Sequence, residues 1–182
     1  MKILKRILLI IVVLIGLVLI TGLFVKKDMT AEREVVINKP KAEVYEYVKY
    51  LKNQKEYSKW ASMDPAMKVD FQGTDATPGF IYSWNSDKDE VGAGEQEIKA
   101  IKAGDRIDYE LRFKEPWEST ATSHMITEEV PGNPNQTRVK WGFNGNMAYP
   151  MNVMRLFMDM EKMIGDDFQT GLNNLKAKME KQ

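Results

Sequence analysis

The sequence predicts an α+β protein in which one transmembrane helix is followed by a single domain, where a curved antiparallel sheet of about seven strands surrounds a long C-terminal helix. Three observations lead to this prediction. Residues 7–25 carry no charge, the middle of the chain alternates between apolar and polar residues with a period of two, and residues from about 150 to 181 repeat apolar side chains at helical spacing.

The N-terminal segment has the length and composition of a membrane span. Residues 7–25 are 19 consecutive uncharged residues, and as a helix they would extend about 28 Å, close to the ~30 Å hydrocarbon core of a bilayer. The alternatives are a cleaved signal peptide and an unusual buried helix, but the apolar region of a signal peptide is usually only about 7–15 residues long and ends at a small-x-small site. This run ends in LFVKK instead. We predict an anchor over residues 1–28 and one domain over residues 29–182.

The charges that flank the span predict its orientation. Lys2, Lys5 and Arg6 precede it, whereas the two lysines that follow it are offset by Asp28. The positive-inside rule therefore favours a cytoplasmic N-terminus and an exported C-terminal domain. In a Gram-negative bacterium the domain would lie at the inner membrane and face the periplasm. The absence of cysteine is compatible with that oxidising compartment but does not require it.

The net charge of zero hides an asymmetry that excludes one class of function. Five of the 26 basic residues lie within residues 1–27, and all 26 acidic residues lie beyond them. The domain therefore has 21 basic and 26 acidic residues and a net charge of −5. A nucleic-acid-binding protein needs a basic surface, so we predict no nucleic-acid partner. The sequence identifies no particular protein partner.

The order of secondary structure follows from local patterns. Residues 30–38 form a first strand, and Pro40 suits the first turn of a helix that places apolar residues at helical spacing up to about residue 54. A short helical turn follows at residues 56–60. Six further strands are predicted, at residues 67–73, 80–86, 94–102, 107–113, 119–129 and 137–144.

The clearest strand and the final helix each show one apolar face. Ile107, Tyr109 and Leu111 share a face, with charged residues between them, as expected of an antiparallel sheet that is wet on one side. The final helix is predicted from about Pro150 to Lys181. Its apolar stripe consists of Met154, Phe157, Ile164, Phe168, Leu172, Leu175 and Met179.

The order strand, helix, six strands and long helix resembles the START-like superfamily, also called the polyketide cyclase/dehydrase and lipid-transport (SRPBCC) family. The resemblance covers residues 29–182 and is carried by the segments VVINKPKAEVYEYV, YSKWASMDPAMKVDFQG, PGFIYSW and MIGDDFQTGLNNLKAKME. It implies a helix-grip fold with a long cavity between sheet and helix that usually holds an apolar or amphipathic ligand. It implies no reaction, because one fold hosts many functions.

We predict that such a cavity is lined by inward-facing aromatic residues of the strands, by Trp60 and Trp117 near its rim, and by methionines and an aromatic residue from the helix side. The predicted ligand-binding residues are Trp60, Phe71, Tyr82, Trp84, Tyr109, Phe113, Trp117, Trp141, Phe143, Met151, Met154, Phe157 and Met158. Six of the twelve methionines fall between Met147 and Met163, and methionine adapts to ligands of varied shape. The alternative is that these side chains simply fill a closed core.

Catalytic and metal-binding patterns are weak. His124 is the only histidine and lies in a predicted strand, where it points either into the cavity or to the outer face. Metal sites need several converging ligands, and neither the adjacent Glu128 and Glu129 nor the helical Asp166 and Asp167 form a convincing pair. We therefore predict no catalytic residue, no metal and no cofactor.

The ligand and the function follow as hypotheses. Arg112 and Arg138 should face water, although a bulge that turned either of them inward would select a carboxylate or phosphate. The favoured function is a membrane-tethered binding module for a lipid, isoprenoid or polyketide-like molecule. The alternatives are an interaction or envelope-stress protein with a filled core, and an enzyme of the cyclase or dehydratase type.

Overall fold

A seven-stranded antiparallel sheet forms the body of the domain, and its strand order is β1-β7-β6-β5-β4-β3-β2. The computed structural model describes residues 2–181. The strands are β1 (Asp28–Ile37), β2 (Lys68–Gln72), β3 (Ile81–Asn85), β4 (Ala93–Lys102), β5 (Arg106–Glu115), β6 (Ser119–Val130) and β7 (Asn133–Asn146). All predicted strands are confirmed, although β7 begins four residues before the predicted start at Thr137.

Helices precede the first strand, connect the first two strands and follow the last strand. They are α1 (Lys2–Gly22), α2 (Lys41–Val48), a first 3₁₀ helix (Leu51–Glu56), α3 (Lys59–Met63), a second 3₁₀ helix (Met151–Leu156) and α4 (Met160–Met179). α4 packs along the inner face of the sheet, mainly against β1. The predicted helix-grip architecture is therefore confirmed.

The core lies between the inner face of the sheet and the helices. Val139 on β7 and Ile107 on β5 are almost fully buried, as are Leu172 and Leu175 on α4. The stripe predicted for the last helix thus packs on the apolar face predicted for the strands. Burying each such side chain stabilises the fold by about 1.5–3 kcal/mol.

The sheet bends at irregularities in its ladders. The pairing of β4 with β5 shifts register between Ala93 and Gly94 and again between Ile98 and Ala100. Gly92 precedes the first shift with φ of +60°, and a Cβ atom there would lie 2.2 Å from the carbonyl oxygen of Glu115. Only glycine fits such a close backbone approach.

The predicted continuous helix from Pro150 is wrong, because the chain breaks between the second 3₁₀ helix and α4. The carboxylate of Asp159 accepts a hydrogen bond of 2.9 Å from the backbone N–H of Lys162, which makes Asp159 the N-cap of a new helix. Met151 and Met154 consequently belong to the 3₁₀ helix, and Phe157 and Met158 lie in the break.

α1 is the one helix among residues 2–181 that is long and apolar enough to span a membrane. Its apolar side chains are exposed and do not pack against the rest of the protein. A signal sequence has the same properties. The predicted boundary at residue 28, the membrane span and its orientation stay predictions.

Candidate functional site

A cavity of about 300 Å³ lies between the inner face of the sheet and α4. Its volume is at the lower end of the range for small-molecule sites. Side chains from β3 to β7, from α4 and from the segment around α3 surround it. The cavity is the candidate functional site because it combines apolar walls with a few buried polar groups.

Seven aromatic rings contribute to the wall. Six of the predicted ligand-binding residues line the cavity: Trp60, Tyr82, Trp84, Phe113, Trp141 and Phe143. The ring of Tyr82 stacks near Trp84 with centroids 6.1 Å apart, and Trp84 meets the edge of Phe113 at the same distance. These contacts hold the rings in place, so the wall is preformed.

The other seven predicted residues lie outside the cavity lining: Phe71, Tyr109, Trp117, Met151, Met154, Phe157 and Met158. Phe71 stacks on Phe80 with ring centroids 6.1 Å apart, and Tyr109 is buried in the core. Trp117 is exposed on the hairpin between β5 and β6. The last four lie in or just after the second 3₁₀ helix, beside the end of α1.

Three buried polar residues in the lining were missed at the sequence level. Gln54, Gln96 and Ser123 line the cavity and are each less than a tenth exposed. Gln96 lies two residues from the buried Ile98 on β4, and Ser123 lies two residues from the buried Met125 on β6, so each pair points to the same face of the sheet. This alternation could have identified both as inward-facing, but their polarity directed attention to their aromatic neighbours.

The lining also includes Leu111, Ile164 and Phe168. The sequence placed these residues on apolar faces without singling them out as ligand-binding. Phe168 stacks on Trp141 with ring centroids 4.6 Å apart and an interplanar angle of 12°. This pair joins α4 to β7 at the wall of the cavity.

The polar groups inside the cavity are neutral. Burial raises the pKa of Tyr82 to about 12, so its phenol stays protonated near neutral pH and can donate a hydrogen bond. The indole N–H of Trp84 donates to the carbonyl oxygen of Val91 at 3.3 Å. The amides of Gln54 and Gln96 each provide donors and an acceptor.

Charge is confined to the mouth of the cavity. The exposed residues of the lining include three acids, Asp89, Glu90 and Glu115, and one base, Lys55. Two of the acids come from the loop between β3 and β4, and the third is the last residue of β5. An anion entering through this mouth would therefore meet a net negative charge.

The loop between β3 and β4 is fixed at its base. The hydroxyl of Ser86 donates to the carboxylate of Asp64 at 2.5 Å, and the Nζ atom of Lys88 donates to the carbonyl oxygen of Met63 at 2.6 Å. The Ser86 hydrogen bond holds the pKa of Asp64 below its usual range. These contacts connect the mouth loop to the end of α3.

Both candidate arginines face outward, as alternation predicts. The guanidinium of Arg112 contacts the carboxylates of Glu95, Glu97 and Glu110 at 2.5–3.2 Å, and these carboxylates raise its pKa. Arg138 pairs with Glu34 at 3.3 Å. Neither guanidinium lines the cavity. No bulge turns either arginine inward, so neither can select a carboxylate or phosphate ligand there.

His124 lies on the outer face of the sheet, which resolves the alternative that the sequence left open. Its Nε2 atom is 2.9 Å from a carboxylate oxygen of Glu32 on β1. Between them lies Gly142, where a Cβ atom would stand 2.2 Å from the imidazole ring. The histidine therefore packs over a glycine on the side of the sheet opposite the cavity.

The carboxyl groups with shifted pKa values are all shifted downward within residues 2–181. Ion pairs and hydrogen bonds lower the pKa values of Glu56, Asp64, Glu95, Glu97, Asp105 and Asp166. A general acid needs a shift in the other direction. Among the same residues, no cluster of three or more potential metal ligands occurs.

Comparison with known proteins identifies the fold. No family model and no curated protein sequence matches the chain. A hypothetical protein from Helicobacter pylori has 10% identity and a TM-score of 0.62, covering 84% of this chain and 89% of its own. A structural-genomics protein from Nitrosospira multiformis has 16% identity and a TM-score of 0.60, covering 82% of this chain and 95% of its own.

A third solved structure, Ara h 8.0201, has 13% identity and a TM-score of 0.57, and the match covers 85% of this chain and 99% of that one. Similarity at this level shows the fold alone. The chain has the same helix-grip fold as these proteins, in which a curved antiparallel sheet of seven strands packs against a long C-terminal helix.

Proposed function

We propose that this protein is a membrane-tethered binding module that holds a hydrophobic small molecule between the sheet and α4. The observation that carries the proposal is the cavity, because its preformed aromatic wall encloses neutral hydrogen-bonding groups. A lipid, an isoprenoid or a polyketide-like compound has the matching apolar body. The uncharged run of residues 7–25, most of which lies in α1, would keep the module beside the bilayer, where such compounds partition.

The polar groups narrow the class of ligand. Gln54, Gln96 and Ser123 suit a molecule with one or two neutral groups, such as a hydroxyl, a carbonyl or an amide. Within residues 2–181, no buried lysine or arginine lines the cavity. The charged residues at the mouth are three acids and Lys55. A neutral ligand should therefore bind better than a fatty acid of equal length.

The proposal is tested by native mass spectrometry of the full chain released from phosphatidylcholine nanodiscs, combined with organic extraction of whatever co-purifies. A matched panel of a long-chain alcohol, amine and acid with equal chain length probes selectivity. We expect a bound apolar adduct, with the alcohol bound about tenfold more tightly than the acid, which corresponds to about 1.4 kcal/mol.

Ala61→Trp is the control variant. Ala61 lines the cavity and is partly exposed on α3, so an indole there should block entry without replacing a core residue. An adduct lost in this variant assigns binding to the cavity. If neither protein carries or acquires an adduct, the binding proposal fails, and the chain is better explained as an interaction or envelope-stress protein. Turnover of a panel compound would indicate the cyclase- or dehydratase-type alternative.

A further inference from the structure

The end of α1 is held against the globular domain by a buried side chain. Asn152 in the second 3₁₀ helix is fully buried, and its amide donates hydrogen bonds to the carbonyl oxygens of Gly22 at 2.7 Å and Val25 at 3.0 Å. The last carbonyls of a helix have no partner within the helix. Asn152 therefore caps α1 from the domain side.

Two further side chains strengthen this junction. Val153 approaches Gly22 so closely that a Cβ atom on Gly22 would lie 2.3 Å from the Cγ2 atom of Val153. The guanidinium of Arg155 donates to the carbonyl oxygen of Asp28 and pairs with Glu161 at 2.9 Å. The chain between α1 and β1 is thus fixed at both ends, and the domain has a defined orientation relative to α1.

Exposed apolar side chains surround this junction. We call them the apolar collar: Leu23, Phe24, Tyr149, Leu156, Phe157 and Met158. Phe24 is 85% exposed and Phe157 is 75% exposed. Single exposed apolar residues are common on soluble proteins, but a group of this kind marks an interaction surface.

The position of the collar points to its partner. Leu23 and Phe24 continue the apolar surface of α1 beyond its last turn, and Leu156 to Met158 belong to or directly follow the 3₁₀ helix that the junction joins to the same end of α1. Where a helix leaves the bilayer, the adjoining surface lies in the interfacial layer, which accommodates aromatic rings. Lipid is therefore the occupant that is continuous with the span.

The register of the sheet places the cavity mouth at the same end. β1 begins at Asp28 opposite Asn146, and the ladders continue through Ala121 opposite Gly145 to Phe113 opposite Ser119. Glu115 at the end of β5 and the loop of residues 86–92 both lie at this end of the strands. The anchor and the mouth therefore share one end of the domain.

We propose that the apolar collar inserts into the lipid interface, so that the domain sits on the bilayer in one orientation with the mouth end of its sheet toward the membrane. This inference rests on the proposed membrane span but not on ligand binding. In this arrangement the domain is docked on the bilayer and does not move freely on a flexible linker. A ligand would then pass between the lipid and the cavity over a short path.

The chain has no cysteine, so single-cysteine variants of the full chain can carry one bimane label each. Ile10→Cys reports the span, Phe157→Cys reports the collar, and Asn135→Cys at the β6–β7 hairpin reports the opposite end. Each labelled protein is reconstituted in phosphatidylcholine vesicles with and without brominated acyl chains, which quench bimane on contact.

We expect strong quenching at position 10, weaker but distinct quenching at position 157, and none at position 135. Quenching at position 10 with none at 157 overturns the inference while leaving the span intact. A blue-shifted but unquenched label at 157 overturns it in favour of a protein partner, such as a second copy. An unquenched label at position 10 removes the span and with it the docked orientation.

Discussion

The indole of Trp141 on β7 stacks on the ring of Phe168 on α4, with centroids 4.6 Å apart and planes 12° from parallel. Tyr57 and Trp60 meet Trp141 edge-on at 5.8 and 6.4 Å. Trp141 is 3% exposed and also lines the cavity. One side chain therefore connects the helix to the sheet and forms part of the candidate binding wall.

Replacing this indole should be costly even though it borders empty space. We expect Trp141→Ala to lower the free energy of unfolding by about 3 kcal/mol, at the lower end for a buried tryptophan because one edge already faces the cavity. Chemical denaturation measures the loss. Trp117→Ala, at an exposed tryptophan, is the control and should change stability by less than about 0.5 kcal/mol. A loss below about 1 kcal/mol at Trp141 would contradict the packing role.

The same indole leaves room only for a small residue at position 171 on α4. A Cβ atom at Gly171 would lie 2.8 Å from the Cζ3 atom of Trp141. Glycine to alanine within a helix normally stabilises by about 1 kcal/mol. Here we expect Gly171→Ala to destabilise by about 1–3 kcal/mol through overpacking. Asn173→Ala on the exposed face should be close to neutral, and a more stable Gly171→Ala protein would show that the ring can move aside.

The junction between α1 and the domain makes a prediction that is independent of any membrane. Asn152→Ala removes two hydrogen bonds to the segment that contains Lys26 and Lys27. Each such bond contributes about 1 kcal/mol, so local opening should become at least about tenfold more frequent. Trypsin cleavage after these lysines in detergent should accelerate accordingly. Asn135→Ala is the control, and equal cleavage rates in both variants would contradict the cap.

Asp105 gives a pH-dependent prediction. Lys102 and Lys41 contact its carboxylate at 2.8 and 2.5 Å and lower its pKa to about 2. A depressed folded-state pKa stabilises the fold above the unfolded-state value near 3.9 and loses this contribution as the pH falls toward 2. Asp105→Asn should therefore be less stable than the wild type at pH 7, and the difference should shrink to a small fraction near pH 2, where about half of the wild-type carboxyl groups are already protonated.

Denaturation curves at the two pH values test this prediction. The control is Asp70→Asn, because Asp70 makes no ion pair within residues 2–181. This substitution should leave the free energy of unfolding unchanged at both pH values. A difference between wild type and Asp105→Asn that stays constant from pH 7 to pH 2 would rule out the carboxylate as its source.

The fold was predictable because each element carries its own periodic signal. The alternation around Tyr109 and the helical spacing of Phe168 and Leu172 encode burial locally. About half of the predicted ligand-binding residues line the cavity for the same reason, since parity assigns Tyr82 and Trp141 to the inner face. Parity does not tell how deep along a strand a residue lies, so Tyr109 fills the core instead.

The sequence by itself determined the order of the elements, the inner face of each strand and the apolar N-terminal run, because these depend on neighbours a few residues apart. Only the tertiary structure decided how the segment before the final helix is held, because the amide of Asn152 donates to carbonyls 127 and 130 residues away in the chain. It also decided that His124 pairs with Glu32 on β1 and that Gln96 joins the cavity. Such pairings depend on strand register and long-range contacts, which no local pattern encodes.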